Sequence, residues 1–322
     1  FCLTCSKNAW YSCPVSTISK SFSGVYAAVL TPRTTDARID AHSLERNICF
    51  ALDKGMDGVV LGGATGEYAA LLPEEFDQAA AIGAEAVKQR GKLLMGIGAA
   101  SYREAVRRGK TAFRVGAAAV LLPAPHFFAY SQDDVECFVK DVVSDLDGPV
   151  LLYNLPQFTN PFVPSLAARL ISECPNVVGV KDSSGSLDMF RFFQANGTDG
   201  ARIVGNDGVF LEMIREDLCH GTISGVAGVL PELTHYLWTN RKALSTPAYD
   251  CVGDLLGELL KQLESFPVPW GLKQIAEHRG LAPAEFLQPQ SEFRQQQARA
   301  FRLWLEDWWQ RAEQAIAGKV AP

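Results

Sequence analysis

Val177-Val178-Gly179-Val180-Lys181, followed by Asp182-Ser183-Ser184-Gly185, is an apolar run that ends in a lysine and breaks at once into a polar turn closed by glycine. A run this short, apolar at successive rather than alternate positions, reads as a strand buried on both faces, the kind found in parallel sheets. The same pattern recurs along the chain at 24–30, 58–61, 92–97, 117–122, 149–153, 202–204 and 221–226, which makes eight such runs with 177–181.

Helix-start signals fall between the runs. Asp40 precedes one amphipathic segment, and Pro73-Glu74-Glu75 opens another, with the proline where a first-turn N–H has no partner to lose. Ser101 with Glu104, and Ser131 with Asp134, have capping-box spacing. Pro164-Ser165, Ser186, Asp207 and Pro231 open the remaining four. Eight short strands alternating with eight helices predict an α/β fold, the (β/α)8 TIM barrel. A doubly wound open sheet is the alternative, but it usually carries GxGxxG after its first strand, and none follows Leu30.

Beyond Asn240 the alternation stops, and 245–266, 269–279 and 290–317 read as helices separated by Pro267, Pro269, Pro283 and Pro289. The expected organisation is an N-terminal extension over 1–21, poorly ordered, a barrel over 22–244, and a C-terminal helical region over 245–322 packed on it. Residues 1–14 fit no element and lack the plan of a signal peptide, and a natural start near Val15 or Ser16 is expected. Trp304, Trp308 and Trp309 in the last helix read as a packing face against the barrel or another subunit rather than as a ligand site.

Composition narrows the function. Hydrophobic residues at 48% and charged residues at 20% describe an ordinary globular chain of 322 residues, long enough for one large core. A net charge of −6 with no Lys/Arg run argues against a nucleic-acid binder. No apolar stretch approaches the roughly 18 residues needed to cross a bilayer, so no membrane partner is expected. Of the eight cysteines, Cys2 and Cys5 form a lone CxxC, and the later five read as free buried thiols in a reducing cytoplasm. The five histidines show neither HxH nor HExxH spacing, so neither a metal site nor a cofactor is expected.

In a (β/α)8 barrel the chemistry sits at the C-terminal strand ends. The second strand ends in Gly62-Gly63-Ala64-Thr65-Gly66-Glu67, a turn whose backbone N–H groups can converge on an anion, with the Thr65 hydroxyl beside them; a plain tight turn is an equal reading. The fifth ends in Tyr153-Asn154-Leu155-Pro156, where the phenol can relay a proton or simply be a core tyrosine. The sixth ends in Lys181. A lysine closing an apolar run is costly to bury, and a neutral amine in such a place is the nucleophile that attacks carbonyls.

These three motifs, in this order and spacing, resemble the dihydrodipicolinate synthase / N-acetylneuraminate lyase family of class I aldolases. The resemblance runs over roughly residues 22–290 and is supported by Gly205-Asn206-Asp207 and by 221–228. It implies that Lys181 forms a Schiff base with a 2-oxo acid such as pyruvate and that Tyr153 passes protons during imine formation and C–C bond making or breaking. It implies that Gly63, Ala64 and Thr65 hold the substrate carboxylate, that Gly179 and Ser224 lie beside the pocket, and that the chain forms a homodimer or homotetramer.

Three positions depart from the family pattern. Ala64 replaces a hydroxyl residue, Phe127 stands where a second relay tyrosine is common, and Phe158 takes the place of the arginine that dihydrodipicolinate synthases carry. The expected activity is therefore cleavage, condensation or dehydration of a 2-keto-3-deoxy or 4-hydroxy-2-oxo acid. Dihydrodipicolinate synthase activity and a non-catalytic ligand-binding barrel are the alternatives.

Overall fold

The computed structural model describes residues 21–318. Eight strands close into one barrel in chain order, every neighbouring pair parallel: β1 (Gly24–Ala28), β2 (Gly58–Leu61), β3 (Lys92–Gly96), β4 (Ala119–Pro123), β5 (Val150–Asn154), β6 (Val177–Asp182), β7 (Ala201–Val204) and β8 (Gly221–Ser224). This is the TIM barrel that the alternation predicts. The helices that wrap it are α1 (Ala41–Asp53), α2 (Pro73–Val87), α3 (Tyr102–Arg114), α4 (Gln132–Ser144), α5 (Pro164–Glu173), α6 (Asp188–Ala195), α7 (Phe210–Arg215) and α8 (Pro231–Thr239). The extension expected over 1–21 lies, but for Ser21, outside the described residues, as do Cys2, Cys5 and Cys13.

The start signals act as the sequence implies. Asp40, Ser101 and Ser131 accept hydrogen bonds from Ser43, Glu104 and Asp134 N–H respectively, each satisfying a first-turn donor that the helix itself cannot. Ser186 accepts from Asp188 N–H, so α6 begins two residues later than its signal. Asp207 opens a 3₁₀ turn before α7, and the eighth strand ends at Ser224 rather than Val226, because Val226–Gly228 coil into another 3₁₀ turn.

Two apolar clusters explain the strand composition. Tyr26, Val60, Leu94, Leu121, Leu151, Val178, Ile203 and Ile223 fill the barrel interior, while the alternate residues, among them Val25, Val59, Val120 and Leu152, face the helices. Both faces of each strand are thus out of water, and that removes the polar alternation a one-sided sheet would show.

The chain then adds α9 (Pro247–Leu263), α10 (Trp270–His278) and α11 (Glu292–Ile316). Trp308 is fully buried, stacks on Trp304 at 5.7 Å, and donates its indole N–H to Leu255 O on α9 at 3.0 Å. The tryptophan face is packing, as its helical spacing implies. One detail of the cysteine reading changes: Cys174 and Cys219 are buried, but Cys137 is exposed on α4, a helix with one solvent face. Among the described residues no helix is long and apolar enough to cross a membrane.

Candidate active site

The decisive local event is on β6. Leu151 of β5 pairs with Gly179, although Val150 pairs with Val177, so the register slips by one and Val178 has no partner across the strand. A slip of one residue reverses which face each later side chain takes. Val178 lies inside the barrel, Val180 lies outside, and Lys181 comes back inside, level with Tyr153. Gly179 makes this possible at φ 156°, where a Cβ would stand 2.3 Å from Ala201 O on β7. The resemblance places Gly179 beside the pocket; in the structure it lies on the β6–β7 seam, two residues before Lys181, and is not among the residues lining the cavity.

Lys181 is 4% exposed, and its Nζ lies 4.0 Å from the centre of the Tyr153 ring, itself 3% exposed. Both line a cavity of about 300 Å³ at the C-terminal mouth of the barrel. Gly205, just past β7, gives the lysine its path: a Cβ there would lie 2.7 Å from Lys181 Cε and 2.1 Å from Ser183 Oγ. Asn154 and Asp182, the next pair up the strands, lock the two ends together, with the Asn154 amide donating to the Asp182 carboxylate at 2.7 Å. Burial raises the Asp182 pKa above its ordinary 3.8, and the Ser184 and Asn154 hydrogen bonds offset part of the rise.

Ala64 and Thr65 line the same cavity, and among the described residues neither N–H has a protein acceptor. Gly63 sits just behind, its carbonyl accepting from Tyr68 N–H at 3.2 Å. The turn is held from outside by the Thr31 hydroxyl, which donates to Gly66 O at 2.8 Å, and by the buried Arg108, which donates to Tyr68 O, Leu71 O and Gly98 O.

The other expected residues divide. Phe158 lines the cavity at its open side, 56% exposed. Phe127 does not reach the cavity: it is 89% exposed, at φ 77°, with its ring edge-on to Phe128 at 4.9 Å. Ser224 is fully buried behind the wall, where its hydroxyl accepts from Ala227 N–H at 3.0 Å.

Asp207 lines the cavity; in the sequence it stands out only as part of Gly205-Asn206-Asp207 and as a helix opener, not as a site residue. Its Oδ1 is buried with no hydrogen-bond partner. Burial raises its pKa above 3.8; Ser224, the Val226 N–H and the Lys181 charge all act in the opposite sense. Gln157, Ser183 and Asn206 add neutral polar groups, and Leu260, Val268 and Leu272 add an apolar wall from the C-terminal region. Nothing marks Leu260 and Leu272 as wall, since aliphatic helix residues are normally core, while Val268 lies in the turn between the two helices. Lys181 is the one cation that lines the cavity among the described residues. No three His, Cys, Asp or Glu side chains converge as metal ligands among them.

The model of the dihydrodipicolinate synthetase family matches residues 21–307. The chain belongs to that family. A 4-hydroxy-tetrahydrodipicolinate synthase of Endomicrobium trichonymphae is 31% identical over 274 residues, 84% of this chain and 93% of that one. The enzyme of the same name from Methanosphaerula palustris is 32% identical over 283 residues, covering 84% and 94%. Among solved structures, dihydrodipicolinate synthase from Aquifex aeolicus superposes with a TM-score of 0.82 at 26% identity, covering 89% of this chain and 98% of that chain. A sialic acid aldolase of Ruminococcus gnavus, 18% identical, covers 90% of this chain and 99% of its own and shares the fold at a TM-score of 0.80. This family member is a lyase of the class I aldolase type, the kind that the three strand-end motifs imply.

Proposed function

We propose that this lyase forms a Schiff base between Lys181 and a 2-oxo acid of the pyruvate type and uses it to make or break a bond to an aldehyde carrying no second carboxylate. The observation that carries the proposal is the buried Lys181 Nζ lying 4.0 Å from the Tyr153 ring centre in a cavity at the barrel mouth. The amine lone pair attacks C2 of the oxo acid, the carbinolamine loses water, and a protonated imine remains. That imine draws electrons from C3, so a C3 proton leaves and the resulting enamine adds to the aldehyde carbon; cleavage is the reverse. The Tyr153 phenol gives and takes the protons of carbinolamine formation and of the aldehyde oxygen. The open N–H groups of Ala64 and Thr65, with the Thr65 hydroxyl, seat the oxo acid's carboxylate.

Substrate choice follows from the rest of the wall. Besides Lys181 it offers only neutral polar groups, Asp207 and apolar side chains, which suits a hydroxylated or aliphatic aldehyde, as released from a 2-keto-3-deoxy or 4-hydroxy-2-oxo acid. The second reading is 4-hydroxy-tetrahydrodipicolinate synthase, favoured by the names of the relatives. Against it, Phe158 cannot pair with the carboxylate of aspartate semialdehyde, a loss worth about 1.5–3 kcal/mol. The non-catalytic alternative has no observation in its favour.

Incubation with pyruvate and borohydride, followed by peptide mass mapping, tests the chemistry: a reduced pyruvyl adduct on Lys181 is expected, and an adduct elsewhere, or none with any 2-oxo acid, would refute it. Comparing kcat/KM for pyruvate plus aspartate semialdehyde with that for a panel of 2-keto-3-deoxy acids decides between the two substrates. Activity is expected to survive exhaustive EDTA treatment. We also propose a homodimer or homotetramer, because the exposed Phe127 and Phe128 rings form an apolar face beside the mouth, and sedimentation at several concentrations tests it. The five described cysteines are all free, which supports a cytoplasmic location.

A further inference from the structure

We infer that Lys273, on a helix outside the barrel, neutralises Glu67 beneath the glycine-rich turn and thereby allows that turn to hold a substrate carboxylate. The inference rests on the reading of Ala64 and Thr65 as the carboxylate seat.

Glu67 closes the turn that follows β2, in the left-handed region at φ 57°. Its side chain is 13% exposed, and its Oε2 lies 2.7 Å from Lys273 Nζ, in a side chain 3% exposed. The approach is a charge contact off the hydrogen-bond axis; the Lys273 ammonium donates instead to Glu285 O at 2.9 Å. Nearby buried cations are committed elsewhere, Arg108 to Glu104 and Arg33 to Glu75. Lys273 is therefore the partner that balances Glu67.

The location gives the pair its consequence. Glu67 is two residues from Thr65, whose Oγ1 would stand 3.1 Å from a Cβ at Gly225. Leu272, one residue before Lys273, approaches the same Gly225 position at 2.9 Å and lines the cavity. Helix α10 thus supplies a wall residue and the counter-charge from adjacent positions. A bare carboxylate at Glu67 would be both costly to bury and repulsive toward an anion seated two residues away, in a setting where water screens little. With Lys273 in place the Glu67 charge is offset, and the N–H donors set the affinity.

A mechanical strut and a charge balance make opposite predictions for the two single variants. The measurement is the pyruvate concentration that gives half-maximal borohydride trapping at Lys181, read for the parent, Lys273→Met, Glu67→Gln and the double variant. Lys273→Met is expected to raise it about tenfold or more. Glu67→Gln leaves an unbalanced cation and is expected to hold it at or below the parent value. The double variant, neutral again, is expected to return to within about threefold of the parent. Equal weakening in both singles, or a double variant as weak as Lys273→Met, overturns the charge role. Should Lys273→Met fail to fold, Glu67→Gln and the double variant still decide, because weakening of tenfold or more in either contradicts the inference. A parent that traps no 2-oxo acid at Lys181 refutes the reading of the site itself, and this outcome is read without any variant.

Discussion

Strands β5 and β6 bring Tyr153 and Lys181 to the floor of the cavity as buried residues level with one another, whereas Phe158, on the loop after β5, stands half-exposed at its rim. The floor is built from sheet register. Lys181 and Tyr153 are placed by backbone pairing, by the slip at Gly179, and by the space left at Gly205, so small changes there displace both side chains. The rim is built from loops and from α9 and α10, whose side chains meet the cavity without being locked into a ladder. Under the proposed function, reaction type belongs to the floor and partner choice to the rim, and the departures at Phe127 and Phe158 fall outside the floor, in loops.

That contrast breaks if floor variants are tolerated. Lys181→Arg should be folded and inactive, with a loss in kcat of at least roughly ten-thousandfold and no borohydride adduct, since a guanidinium cannot form the imine. Tyr153→Phe keeps the ring packed against Lys181 and removes only the hydroxyl. A fall in kcat of about a hundred- to ten-thousandfold with little change in KM is expected, and steady-state kinetics would show it. Gly205→Ala pushes on Lys181 Cε and Ser183 Oγ together, and displacing the amine by about an ångström should cost roughly a hundredfold in trapping rate.

Two smaller effects sharpen the boundary. Asp207, in the turn after β7, is a cavity-lining carboxylate whose folded pKa is raised by burial. Its penalty is absent below the ordinary value near 3.8, where folded and unfolded forms are both protonated, and is complete once pH exceeds the folded value. Asp207→Asn should therefore gain thermal stability over the parent as pH is raised from 4 to 8, and show no such gain at the acid end of a melting series. At the rim, Phe158→Ala should leave pyruvate trapping within about threefold of the parent while shifting the preference among aldehydes. An equal loss in trapping would place Phe158 with the floor.

The eight strands were legible because burial on both faces writes an unbroken apolar run, and the helices because their first turns need side-chain caps such as Asp40, Ser101 and Ser131. The placing of Lys181 and Tyr153 in one cavity was legible for a related reason: a polar group ending such a run reaches the barrel mouth, where it can stay polar. Phe158 was legible only by position, and Asp207 only as part of the Gly205-Asn206-Asp207 turn, since one acid in a polar turn resembles any other until its depth is known. What the tertiary structure alone decided is phase and distance. Strict alternation from Val178 would turn Lys181 toward the helices; the one-residue slip at Gly179 turns it into the barrel beside Tyr153. Likewise Glu67 and Lys273, about two hundred residues apart in sequence, become an ion pair only when α10 folds back over the mouth, because a charge in water needs no partner and a buried one does.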